Sequence, residues 1–102
     1  KRRAGPFGAG ADSLVALSSG YPNPAHGAVE FTLDLPAEAE VRWEVFDLQG
    51  RVMRSESRTF PAGRSLMSWD GRRQDGGATA AGVYLVHARV GGKELTRRVV
   101  RF

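Results

Sequence analysis

His26 and His87 are the only imidazoles in the chain, and any acid–base or metal chemistry would have to begin with them. A zinc site or a general base needs carboxylates or a second histidine at close spacing, yet neither an HxH nor an HExxH pattern is present. A plain strand position is the expectation for His87. The segment Asp70-Gly-Arg-Arg-Gln-Asp75-Gly76 has the outline of a calcium loop. Such a loop places oxygen ligands at its first, third and fifth positions. Here Arg72 and Gln74 stand third and fifth, and a second arginine, Arg73, lies between them, so cation binding is not expected. Serine, histidine and aspartate all occur, but no GxSxG elbow presents a nucleophile, and no Walker loop cradles a phosphate. With no cysteine, disulfides and thiolate metal sites are excluded. The expectation is a protein without catalytic residues, cofactor or metal.

The remaining chemistry is charge. Fifteen basic residues face eleven acidic ones, a net +4. Lys1, Arg2 and Arg3 supply much of that excess. Nucleic-acid domains concentrate such charge on one stripe. Beyond Gly20 the arginines alternate with acids along apparent strands, the pattern of a solvated sheet face, so nucleic acid is not the expected partner. Arg97, Arg98 and Arg101 could meet an acidic partner or simply line a solvated edge. The longest apolar stretch, about Ala78–Val86, is too short to span a bilayer. Lys1–Gly20 has no apolar core of signal-peptide length, so the chain reads as a mature product or a fragment of something longer.

Such residues need elements to hold them. Residues 1–13 are small and broken by Gly5, Pro6, Gly8 and Gly10, the composition of a linker or mobile arm. The fold is expected over residues 14–102. Leu14, Val15, Ala16 and Leu17 open it as a short apolar strand, and Tyr21-Pro22-Asn23-Pro24 reads as an extended turn at a sheet edge. Val29, Phe31, Leu33 and Leu35 alternate with Glu30, Thr32 and Asp34, the period of a half-buried strand. Val41, Trp43 and Val45 repeat the pattern. Arg51–Phe60 is polar and edge-like. Ser65, Met67 and Trp69 share one face of the next strand, and Arg72–Ala81 reads as a loop. Val83–Val90 and Lys93–Phe102 close the chain around a Gly91-Gly92 hairpin turn. Six or seven short strands with regular turn signals predict an all-β antiparallel sandwich. Phe31, Leu33, Trp43, Val45, Trp69, Tyr84 and Val86 should form its core.

Three phrases then appear in order: Tyr21-Pro22-Asn23-Pro24; Val45-Phe46-Asp47-Leu48-Gln49-Gly50-Arg51; and Trp69-Asp70-Gly71-Arg72 followed by Gly82-Val83-Tyr84. Together, over about residues 14–102, they resemble the Ig-like domain of flagellar hook-capping proteins and its relatives, the type IX secretion C-terminal sorting domains of type A. The resemblance implies an immunoglobulin-like β-sandwich of about seven strands. Sorting domains sit at the C-terminus of secreted bacterial cargo and are read by an outer-membrane translocon. Their cargo is commonly released and joined to surface lipopolysaccharide. Carried over residue by residue, the resemblance makes Gly82, Tyr84, Thr96, Arg97 and Arg98 candidates for partner recognition. Gly82 itself should mark a bulge or a close backbone approach that lets Tyr84 turn inward.

Two functions compete, with a basic module for nucleic acid or acidic polysaccharide, supported only by charge, as a third. One is a sorting and anchoring module, secreted or displayed on the outer surface of a bacterium. The other is a structural subunit that polymerises into a filament, with Leu14, Val15, Ala16 and Leu17 donated as a strand to a neighbour. Either way the partners are proteins, a translocon or further copies of the chain.

Overall fold

Alternation of apolar and polar residues decides the architecture. The computed structural model describes residues 15–102. Its strands are β1 (Ala16–Leu17), β2 (Val29–Leu35), β3 (Ala39–Asp47), β4 (Val52–Phe60), β5 (Gly63–Trp69), β6 (Gly82–Val90) and β7 (Lys93–Arg101). They build two antiparallel sheets, one of three strands in the order β1-β2-β5 and one of four in the order β4-β3-β6-β7. This is an immunoglobulin-like sandwich. No helix among the described residues is long and apolar enough to cross a membrane.

The alternating residues of β2 and β3 face inward, so Val29, Phe31, Leu33, Val41, Trp43 and Val45 are all buried. Met67 and Trp69 of β5, and Tyr84, Val86 and Ala88 of β6, close over them. Every core residue expected from the pattern is buried. Burying each such side chain contributes about 1.5–3 kcal/mol. Polar β4 does form a sheet edge, and Gly91-Gly92 connects the Val90–Lys93 pair as a two-residue turn. The expected arm, residues 1–13, and Leu14 lie outside the described residues.

A strand edge leaves backbone groups without partners, and two amide side chains supply substitutes here. On β7, the Asn23 amide donates to the Arg98 carbonyl at 3.1 Å, and its oxygen accepts the Val100 N–H at 2.8 Å. Ala25 continues the cover, donating to the Val100 carbonyl at 2.8 Å. On β4, Gln74 donates its own N–H to the Met53 carbonyl at 2.7 Å and accepts the Ser55 N–H on its side-chain oxygen at 2.8 Å. Each amide acts as one residue of a missing strand. Pro22 and Pro24, both after cis peptide bonds, flank the first.

β1 pairs with β2 of its own chain, Ala16 opposite Asp34 and Leu17 opposite Leu33. Arg97 of β7 locks it from the other sheet. Its Nε and Nη2 both donate to the Leu17 carbonyl, at 3.0 and 2.7 Å, which joins the β1 and β7 sides of the sandwich.

Candidate protein-interaction face

The Trp69-Asp70-Gly71-Arg72 phrase folds into a tight corner whose polar groups are used internally. The Trp69 indole N–H donates to the Arg72 carbonyl at 3.0 Å, and its ring meets Tyr84 edge-on at 5.5 Å. Asp70 accepts the Arg72 N–H at 2.9 Å, and Arg54 reaches the same carboxylate oxygen at 3.2 Å. Gly71 adopts φ +80°, and its Cα passes against the guanidinium of Arg101. That side chain is buried, donates to the Gly27 and His26 carbonyls at 2.7 and 2.8 Å, and stands 5.3 Å from the Trp69 ring centroid. Arg101 is therefore a core cation rather than part of a solvated edge. Nη1 and Nη2 meet carbonyls and a ring face offers its quadrupole, which offsets the burial, while the buried Nε has no hydrogen-bond partner among the described residues.

The acidic loop does not gather ligands. Asp75 accepts the Gly77 N–H at 2.8 Å and pairs with Arg73, and these contacts hold its carboxyl below the ordinary range. Among the described residues no three histidine, aspartate or glutamate side chains cluster in a way that could hold a metal ion.

The Val45–Arg51 phrase and the Gly82–Tyr84 phrase meet at the same end of the sandwich, around a shallow cleft of about 260 Å³ that Asp47, Arg51, Ala80 and Tyr84 help to line. Asp47 organises the turn, accepting the N–H groups of Gln49 and Arg51 at 3.0 and 2.9 Å and pairing with the Arg51 Nε at 2.7 Å. Partial burial works against its charge, yet the Arg51 and Gln49 hydrogen bonds and the Arg51 cation hold the carboxyl below its ordinary value. A depressed folded-state pKa contributes stability above the unfolded value, about 4, and loses it as pH falls through the lower folded value. Asp47→Asn should therefore flatten the acid limb of the melting temperature plotted against pH, which thermal denaturation in a pH series will show.

The candidate recognition residues divide sharply. Tyr84 is buried, with its hydroxyl on the Ala80 carbonyl at 2.6 Å. Gly82 sits neither at a bulge nor against a close neighbour: it pairs in register with Arg101, a Cβ there would meet nothing within 4 Å, and φ +151° is what glycine supplies. The register shift lies instead in the β3–β4 ladder, at Val45/Phe46. Arg97 is held by Leu17 and by the Thr96 carbonyl. Thr96 and Arg98 point outward from the four-stranded sheet. Thr96 contacts the His87 Nδ1 at 2.9 Å, and the His87 Nε2 lies 3.2 Å from Glu94, so His87 is half-buried within a polar row.

Beside that polar row runs an apolar one. The registers align Val52, Phe46, Leu85 and Arg98 across all four strands, with Val83 and Val100 adjacent. Val52 is 51% exposed, Arg98 is exposed, and Phe46, Leu85, Val83 and Val100 are half-buried on a face that no other described element covers. Alternation alone misses these residues. The signal was nonetheless present in Val45-Phe46, Val83–Val86 and Val99-Val100, where apolar residues run consecutively and so load both faces of a strand. An apolar patch rimmed by Arg98 and Thr96 is suited to a protein partner.

Comparisons follow the same geometry. A family model described as the FlgD Ig-like domain matches residues 19–93. Curated protein sequences yield no match. Among solved structures, dimeric latent PorU from Porphyromonas gingivalis superposes with a TM-score of 0.67 at 22% identity, covering 85% of this chain and 9% of that one. PorZ, a surface component of the type-IX secretion system of the same organism, gives 0.56 at 23% identity, with 94% and 12% covered. FlgD from Xanthomonas campestris, studied for hook capping in flagellar assembly, gives 0.58 at 22% identity, with 85% and 64% covered. At these identities the likeness is one of fold, and the chain spans under two thirds of each of these proteins.

Proposed function

The chain belongs to the FlgD Ig-like domain family, and from that premise we propose that it is a non-catalytic sorting and anchoring module of a secreted or cell-surface bacterial protein, read by a type IX translocon. The observation that carries the reading is the outer face of the four-stranded sheet. There the two recognition candidates that the fold leaves pointing outward, Thr96 and Arg98, rim the apolar row of Phe46, Leu85 and Val52. The likeness to PorZ, a surface component of a type-IX secretion system, supports a place in that pathway. Gly82, Tyr84 and Arg97 serve recognition indirectly, by fixing the strands that display this face. Strand donation is the weaker reading, because Ala16 and Leu17 would have to leave β2 and break the Arg97 clamp before reaching a neighbour.

The test is a reporter with a signal peptide, followed by residues 14–102, in a host with a type IX system. The intact fusion should reach the cell surface. A Thr96→Ala/Arg98→Ala/Leu85→Ser variant changes only outward-facing residues, so its melting temperature should shift little, and it should leave the reporter in the periplasm. Retention of the intact fusion would sink the sorting reading.

A further inference from the structure

We propose that the free edge of β5 is a docking site for one extended peptide strand carrying acidic side chains. The geometry begins with β2. Glu30 exchanges backbone bonds with Tyr21, and the Thr32 carbonyl accepts the Ser18 N–H, so the even-numbered residues of β2 direct their backbone groups toward β1. Its odd-numbered residues therefore bond β5 through Gly63, Ser65, Met67 and Trp69. The N–H and C=O groups of Arg64, Leu66 and Ser68 consequently point away from β2, along the open side of the sheet.

No described residue hydrogen-bonds that side of β5. The other edges are short, capped or irregular: β1 has two residues, β7 is covered by Asn23 and Ala25, and β4 carries a register shift and the Gln74 cap. β5 runs seven residues in unbroken register and displays Leu66 at 62% exposure. Native edges are ordinarily blunted against pairing, and among the described residues only the Arg64 side chain, turned back onto Asp34 of β2, guards this one.

The second sheet specifies the occupant. Arg97 of β7 grips Leu17 of β1, so the three-stranded sheet is aligned with the four-stranded one on that side. On the opposite side no described strand lies above β4. Arg54, Glu56 and Arg58 lie on its inward face, paired with the buried Val45, Trp43 and Val41, but are themselves uncovered or only half-covered. Arg54 is neutralised by Glu56 and Asp70. Arg58 has no carboxylate partner among the described residues and rests over the Phe60 ring at 5.0 Å. A strand added to β5 would place every second side chain over this shelf, where acidic groups meet Arg58, and the alternate ones beside Leu66. Main-chain bonds would supply affinity and the alternate side chains specificity. A second copy's own four-stranded sheet would collide with the shelf, which favours a single strand over edge-to-edge pairing.

The probe is acetyl-Val-Glu-Val-Glu-Val-Glu-Val-amide, with the Val-Lys heptapeptide as control, titrated into isotopically labelled domain. The glutamate peptide should shift and protect from exchange the Arg64, Leu66 and Ser68 amides, and bind roughly tenfold tighter than the lysine peptide. Arg58→Glu, at an exposed position, should reverse that preference, and Arg58→Gln should abolish it should the charge reversal fail to fold. Unchanged β5 amides, equal affinity for both peptides, or β5 amides already protected in a peptide-free dimer would each overturn the proposal.

Discussion

Trp69→Ala should lower the melting temperature by about 15 °C or more. The indole is 1% exposed, so its removal forfeits the transfer free energy and leaves a cavity, together about 3–5 kcal/mol. A domain of this size has only about 5–15 kcal/mol in total. Each kcal/mol corresponds to roughly 4–8 °C for such a domain. Two further losses add to the core term. The Arg72 carbonyl loses its indole donor, and Arg101 loses the ring beneath its guanidinium. Trp69→Phe separates the contributions, since it keeps most of the apolar area and should cost about 1 kcal/mol for the missing hydrogen bond. Leu66→Ala, at an exposed site, should move stability by no more than about 0.5 kcal/mol. Thermal denaturation followed by circular dichroism checks all three, and an unchanged midpoint for Trp69→Ala would remove this residue from the core.

How much of this was visible in the chain follows from what periodicity measures. A strand with one wet face writes its burial in alternate letters, so Val29–Leu35 and Val41–Val45 could be placed without coordinates. β4 likewise announced itself as an edge through its polarity. Periodicity treats arginine as surface, however, and so misjudged Arg101, whose burial depends on Gly71, Trp69 and two carbonyls remote in sequence. Arg97 is a recognition candidate by resemblance, and its bond to the Leu17 carbonyl, eighty residues away, was not legible in the sequence. Gln74 has no distinguishing local pattern, and the prolines around Asn23 marked an edge turn without showing which strand its amide caps, because capping a strand edge is a tertiary event. The outer apolar row was hidden for a different reason. Consecutive apolar letters are compatible with a fully buried strand, and only the structure shows that Phe46 and Leu85 face outward with no described element over them. The family phrases thus mostly report corners of the fold, and of the candidate recognition face only Phe46 and Val83 lie within them.

Gly71→Ala should destabilise the domain by about 3–5 kcal/mol, far more than a surface glycine at the same backbone angle. The left-handed conformation alone costs an L-residue roughly 1–2 kcal/mol. Gly50 at φ +85° measures that part, because a Cβ there meets nothing within 4 Å. At Gly71 the added methyl would stand 2.5 Å from the Arg101 Cζ, so the guanidinium must move. The far end of a flexible side chain usually moves cheaply, but this one is held by the Gly27 and His26 carbonyls and by Trp69. Displacing it strips donors from those carbonyls, at about 1–3 kcal/mol for each that stays buried. The two effects separate in a double-mutant cycle. In an Arg101→Ala background the steric part vanishes, and Gly71→Ala should cost only the 1–2 kcal/mol of backbone strain. Urea denaturation of the four proteins, with Gly50→Ala as reference, measures the coupling. If Gly71→Ala proves no worse than Gly50→Ala, the close passage of Gly71 over Arg101 is not a constraint on the fold. If the coupling is about 2 kcal/mol, the glycine of the Trp-Asp-Gly-Arg phrase is required by an arginine thirty residues downstream.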